Sequence, residues 1–156
     1  MISKFATATS LILIVSATLA LAHEGATGVV KERMDLMGGQ KKDMKLLNDM
    51  AKGKTPFDAA KANAAARDLE ITAKKIPDLF PEGSTGHPSE ALPAVWEEWD
   101  RFKGSAKDLE DSANALVTAL DTPGQHDWKP ALQKVTDACK SCHEDFRSKE
   151  KEGGHH

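Results

Sequence analysis

The sequence of 156 residues contains no tyrosine, and aromatic residues make up only 5% of it. Strands of β-sheets are enriched in aromatic and β-branched residues, so this shortage disfavours a sheet. No alternation of apolar and polar residues runs long enough to predict a strand. Alanine, lysine and glutamate are plentiful and favour helices. We therefore expect an all-α protein.

Cysteines and basic clusters are also scarce. The chain has two cysteines and no second cysteine pair to complete the four Cys or His ligands of a typical structural zinc site. The formal net charge is −3 and no block of basic residues occurs. Since nucleic-acid binding depends on clustered positive charge, nucleic acid is not an expected partner.

Long apolar runs are confined to the first residues of the chain. Residues 1–22 have the features of a signal peptide, with a positively charged start, an apolar run over 11–15 and a small-residue cleavage site at 20–22. An uncleaved anchor is the alternative, but this run is short for a membrane span of about 20 residues. We predict cleavage before His23 and an exported domain over 23–156 with no membrane span.

The two cysteines lie in the motif Cys-Lys-Ser-Cys-His at residues 139–143. On a helix, side chains three and four positions apart share a face. Two thiols can then bond the vinyl groups of a porphyrin while the imidazole reaches its iron. A thioredoxin-like pair would need a βαβ context, and a disulfide at this spacing has poor geometry. We predict one haem c, covalently bound through Cys139 and Cys142, with His143 as an iron ligand.

The spacing of apolar residues predicts four helices, over residues 29–51, 56–75, 92–120 and 128–150. Residues 77–92 hold three prolines and two glycines, which predicts a long connection. Four helices with one long crossover loop describe an antiparallel four-helix bundle, in which cofactor sites lie between facing helices. Attachment of haem takes place outside the cytoplasm, so the motif and the signal peptide both indicate the bacterial periplasm.

Local signals also predict where helices start and which faces are buried. We expect Thr55 to be the N-cap of the second helix and Asp127 that of the last. Gly38 and Gly39 interrupt the first helix at a cost of roughly 1 kcal/mol each relative to alanine. Either a closely approaching haem or close helix packing would explain them. The residues predicted to face inward from the second helix are Phe57, Ala60, Ala64, Leu69 and either Ile71 or Ala73.

This layout resembles the class II c-type cytochromes, namely the cytochrome c′ family and its low-spin relatives of the cytochrome c-556 type. The resemblance covers essentially the whole mature chain. It is carried by residues 30–33, 52–53 with 56–58, 79–81, the region of Trp96, and Cys139 to Arg147.

The resemblance implies further site residues. Arg147 matches the arginine that follows the haem histidine by four residues, and Arg33 matches a first-helix arginine often placed by a propionate. Met37 falls where the family places the side chain that faces the distal side of the iron. In the low-spin branch a methionine there is the sixth iron ligand, whereas in high-spin cytochrome c′ an apolar residue leaves the iron five-coordinate. Met34 is the substitute if the helix is rotated.

The function that the resemblance implies is transfer of single electrons between redox partner proteins in the periplasm, and not an enzyme activity. The alternative is a five-coordinate haem that binds nitric oxide or carbon monoxide, with Met37 only as a distal gate. A peroxidase is disfavoured because no acid-base histidine lies beside Met37 in the sequence. A homodimer formed through the first two helices, common in cytochrome c′, is a further expectation.

Overall fold

The computed structural model describes residues 26–122 and 127–149. Within these ranges no β-strand is present, and the predicted all-α four-helix bundle is confirmed. The predicted signal peptide, residues 1–22, lies outside the described residues. The helices are α1 Gly28–Ala51, α2 Ala59–Lys75, α3 Ala94–Glu97, α4 Trp99–Asp121 and α5 Lys129–Phe146.

The four long helices do not share their contacts equally. Helix α4 packs extensively on both α2 and α5, and α1 packs on α2. Contact between α1 and α5 is sparse by comparison. The bundle is therefore tightly closed around α4 and more open between α1 and α5. The largest fully buried side chains are Leu47, Leu69, Val95, Leu116 and Val135.

Helix α2 differs most from its sequence-based prediction. It begins at Ala59, and its N-cap is Asp58, whose carboxylate accepts a hydrogen bond from the Lys61 amide (3.0 Å). The prediction of Thr55 as N-cap is therefore wrong, because an aspartate three residues later satisfies the free amides of the first turn. Residues 59–66 are mostly alanine, so the apolar pattern does not distinguish one face of the helix from another.

The predicted inward face of α2 is correspondingly rotated. Phe57 is 53% exposed and Ile71 is 48% exposed, and Ala60 and Ala64 are exposed as well. Phe57 instead stacks on the Trp128 ring with a centroid distance of 5.6 Å. The residues of α2 that are buried are Ala62, Ala65, Ala66, Leu69 and Ala73.

The predictions of the third and fourth helices need smaller corrections. The helix predicted over 92–120 is interrupted at Glu98, whose backbone leaves the helical region (φ −116°, ψ 45°). Helix α5 begins at Lys129 after Trp128, so Asp127 is not its N-cap. It ends at Phe146 because Arg147 is extended (φ −118°, ψ 134°) and forms an antiparallel bridge with Ala91.

The crossover loop after α2 is attached to the end of α5. The Leu92 amide donates to the Phe146 carbonyl (2.9 Å), and the Ser148 amide donates to the Glu90 carbonyl (2.8 Å). The Trp96 indole donates to the carbonyl oxygens of residues 80 and 81 (3.0 Å each). These bonds hold the crossover loop across the end of the bundle where the Cys-x-x-Cys-His motif lies.

A half-buried carboxylate in the α1–α2 interface makes stability pH-dependent. Burial, and secondly the charge of Asp68, raise the pKa of Asp43. A carboxyl whose pKa is higher folded than unfolded weakens the fold once pH exceeds the unfolded value of about 3.9. We expect Asp43→Asn to increase the free energy of unfolding at pH 7 by roughly 0.5 kcal/mol or less, because the side chain is partly screened by solvent.

Denaturant unfolding of the holoprotein at pH 7 and pH 3.5 checks this effect. Most of the gain is expected to be lost at pH 3.5, below the unfolded pKa, where the carboxyl is mostly protonated in both folded and unfolded chains. Equal stability of the two proteins at pH 7 would contradict the prediction.

Candidate cofactor site

The Cys-x-x-Cys-His motif lies on the last turns of α5. Because Lys129–Phe146 is continuous helix, Cys139, Cys142 and His143 have the predicted spacing on one face. Both side chains are partly buried against the core. Before haem is attached, burial raises the pKa of the Cys139 thiol and is the main cause that raises the pKa of Cys142 to about 11. The unattached thiols are therefore neutral at pH 7, which disfavours thiolate chemistry such as redox exchange.

The imidazole of His143 is favoured in its neutral form. Burial by surrounding atoms lowers the pKa of His143, and the positive charge of Arg147 lowers it further, whereas Glu90 opposes this effect. Neutral imidazole is the form that binds a metal ion. The environment of His143 is therefore suited to iron ligation.

Helix α1 presents a sulfur-bearing face toward the interior of the bundle. Arg33 and Gln40 are buried, and Met37, four residues after Arg33 on the same face, is partly buried against the core. Met34 is also half-buried but lies about 100° around the helix from Arg33. Met37 is thus better placed than Met34 to turn its thioether inward.

The described residues fit a haem. The donor set on α5 has the haem spacing, and the sparse contact between α1 and α5 leaves this side of the bundle open. A Cβ built on Gly38 or Gly39 meets nothing within 4 Å among the described atoms, so close helix packing receives no support as the reason for these glycines. The Nε atom of Arg33 is buried without a hydrogen-bond partner in the described structure.

Arg33 anchors the crossover loop to α1. Its guanidinium donates to the Ser84 carbonyl (2.9 Å), the Ser84 hydroxyl (2.8 Å) and the Ser89 hydroxyl (3.1 Å). It also lies 4.2 Å from the centroid of the Phe80 ring. Arg33 is only 4% exposed, and burial lowers its pKa. Sequence reasoning missed both serines, because nothing in a Gly- and Pro-rich loop signals which hydroxyl meets a distant arginine.

Arg147, directly after the end of α5, forms an ion pair with Glu90 of the same crossover loop. Its Nε and Nη2 atoms both lie 2.6 Å from the Glu90 Oε2 atom. The backbone amide of Arg147 donates to the His143 carbonyl (3.2 Å), which places the arginine one turn beyond the motif histidine. Glu90 was also missed from the sequence, since it is 57 positions away from Arg147. The structure therefore brings Glu90, Arg147 and His143 together.

The family assignment follows from the match of this fold and motif to known proteins. A family model described as Cytochrome C′ matches residues 28–147, which include all five helices and the Cys-x-x-Cys-His motif. The chain belongs to the cytochrome c′ family. The family predicted from the sequence is confirmed.

Individual cytochromes of this family are similar over most of their length. Cytochrome c-556 of Agrobacterium fabrum is 38% identical over 125 residues, covering 80% of this chain and 84% of that protein. The structure of cytochrome c′ from Rhodopseudomonas palustris superimposes with a TM-score of 0.74 at 31% identity, covering 81% of this chain and 100% of that one. A mutant of cytochrome c prime from Alcaligenes xylosoxidans, solved as its nitric oxide complex, gives a TM-score of 0.71 at 25% identity, covering 78% and 94%.

Membership of the cytochrome c′ family establishes the cofactor. The protein is a monohaem c-type cytochrome, and its two cysteines, Cys139 and Cys142, carry the covalent haem c. In the part of the chain that the structure describes, no helix is long and apolar enough to cross a membrane. Residues 26–122 and 127–149 also contain no separate group of three or more His, Cys, Asp or Glu side chains arranged to hold a metal ion.

Proposed function

We propose that this cytochrome is a low-spin carrier of single electrons between redox partner proteins, with His143 and Met37 as the axial iron ligands. The observation that carries the proposal is the position of Met37. Met37 is partly buried and shares a face of α1 with the buried Arg33. Helix α1 makes few contacts with α5, the helix that bears His143. The similarity to cytochrome c-556 supports the same conclusion.

Two protein ligands suit electron transfer. The bound haem supplies one-electron exchange, and a thioether ligand favours ferrous iron and raises the reduction potential relative to a second histidine. Met37 and His143 would hold the iron from two helices, α1 and α5, each of which packs on another helix of the bundle. If both side chains bind the iron, no position would stay free for a substrate or a gas, as a carrier requires.

A second candidate function is binding of nitric oxide by five-coordinate iron, with Met37 as a distal gate. Two observations favour it. The Alcaligenes xylosoxidans cytochrome c prime mutant forms a nitric oxide complex. A Cβ built on Gly38 or Gly39, directly after Met37, meets nothing within 4 Å among the described atoms, so no described side chain lies against α1 at these two positions to keep a small gas out.

The visible spectrum of the purified holoprotein distinguishes the two functions. For the carrier, we expect sharp low-spin bands in both ferric and ferrous protein, and no spectral change when carbon monoxide is added to the ferrous protein. A high-spin spectrum that shifts with carbon monoxide would overturn the Met37 ligation and favour the gas-binding function.

The proposed location follows from the predicted signal peptide, and the proposed partners follow from the proposed electron transfer. We infer export to the periplasm with cleavage before His23, and contact with redox proteins through weak, salt-sensitive charges. A homodimer formed through α1 and α2 also remains a proposal. N-terminal sequencing of protein from the periplasmic fraction should begin at His23, and a chain that retains Met1 would contradict the cleavage.

A further inference from the structure

The ion pair of Glu90 and Arg147 is held in place by the backbone on both sides of the pair. Each residue lies in a short antiparallel contact: the Ser148 amide bonds the Glu90 carbonyl (2.8 Å), and the Leu92 amide bonds the Phe146 carbonyl (2.9 Å). The two side chains then meet through two nitrogen–oxygen contacts of 2.6 Å. The backbone bonds hold the two residues opposite each other, so that pairing requires only the two side chains to become ordered.

The pair lies beside the motif histidine. Arg147 follows His143 by one helical turn, and its amide bonds the His143 carbonyl. Glu90 lies at the same site through its two contacts with Arg147. Both charges are therefore held at the end of α5 that carries His143, and each offsets the other there.

We propose that Glu90 is a positioning residue that sets the reduction potential of the haem by neutralising and orienting Arg147 beside His143. This inference rests on the proposed ligation of iron by His143. Removing the carboxylate would leave the positive charge of Arg147 uncompensated, which favours ferrous over ferric iron because the ferrous centre carries one positive charge less. Removing Arg147 would have the opposite effect.

A double-mutant cycle with spectroelectrochemical readout tests this proposal. At a fixed ambient potential we expect Glu90→Gln to raise the ferrous-to-ferric ratio by about twofold to fivefold. This is the effect expected of one unit charge that acts on the iron through partly solvated surroundings. Arg147→Gln should lower that ratio, and the double variant should return close to wild type. Glu90→Asp keeps the charge but shortens the side chain by one methylene, so it should shift the ratio in the same direction as Glu90→Gln and by a smaller amount.

A second arginine–carboxylate pair provides a matched control. Asp121 contacts Arg67 at 2.5 Å, and both pairs are about half exposed. Asp121 ends α4 at the far end of the bundle, before α5 begins, so about 20 Å of helix separates it from His143. Asp121→Asn removes the same charge as Glu90→Gln and should leave the ferrous-to-ferric ratio unchanged.

The possible results distinguish an electrostatic effect of the Glu90–Arg147 pair from a purely structural one. If the pair only holds the loop in place, Glu90→Gln and Arg147→Gln would shift the ratio in the same direction or not at all, and the proposal would be overturned. An equal shift in Asp121→Asn would overturn it too, since any surface charge would then suffice. A high-spin wild-type spectrum would refute Met37 ligation alone, because the cycle on the His143 side would still be readable.

Discussion

Replacing Met37 with alanine is expected to convert a six-coordinate low-spin haem into a five-coordinate high-spin one. Alanine has no atom that can bind iron, and no other described side chain in the next turn of α1 shares both the position and the thioether of Met37. The spectrum should lose its sharp low-spin bands, the ferrous protein should bind carbon monoxide, and the reduction potential should fall because thioether ligation favours ferrous iron.

The chain offers two controls for this experiment. Met44 is on the same helix and is similarly packed against the core, so Met44→Ala removes a partly buried methionine without touching the proposed ligand. Its spectrum should match that of wild type. Met34→Ala tests the rotation of α1: a high-spin spectrum in this variant, with none in Met37→Ala, would move the ligand to Met34 and refute our assignment.

Replacing both motif cysteines with serine should abolish covalent attachment of the haem. A serine hydroxyl does not form the thioether that links each cysteine to a vinyl group, so the haem, if retained, would be held only by its ligands and by packing. Mass spectrometry of the denatured Cys139→Ser/Cys142→Ser protein should give the mass of the polypeptide alone. Denatured wild type should be heavier by one haem and keep its pigment.

Ser141→Ala is the matched control for the cysteine variants. Ser141 lies between the two cysteines and is exposed, and its substitution leaves both thiols and His143 in place. This variant should keep the covalent haem. A wild-type polypeptide that weighs no more than its amino acids would refute attachment through Cys139 and Cys142, and with it the assignment of the cofactor to these residues.

The agreement between the predicted and the observed helices depends on how clearly apolar and polar residues are separated around each helix. Helix α1 was predicted over 29–51 and spans Gly28–Ala51, because methionines and leucines at helical spacing mark one face against lysine and aspartate. The alanine-rich α2 gave no such contrast, since alanine is accommodated on either face. Its inward residues were accordingly misplaced, and only Leu69 and Ala73 were correct.

The helical class, the haem motif and the helix that bears it were predictable because they depend on spacings of three to seven residues along one chain. The loop residues that surround the motif were not predictable in this way. Arg33 meets Ser84 across 51 positions, and Arg147 meets Glu90 across 57. Such partners depend on how the crossover loop folds back over α1 and α5, and a loop that lacks helical periodicity leaves no pattern in the sequence from which those contacts can be predicted.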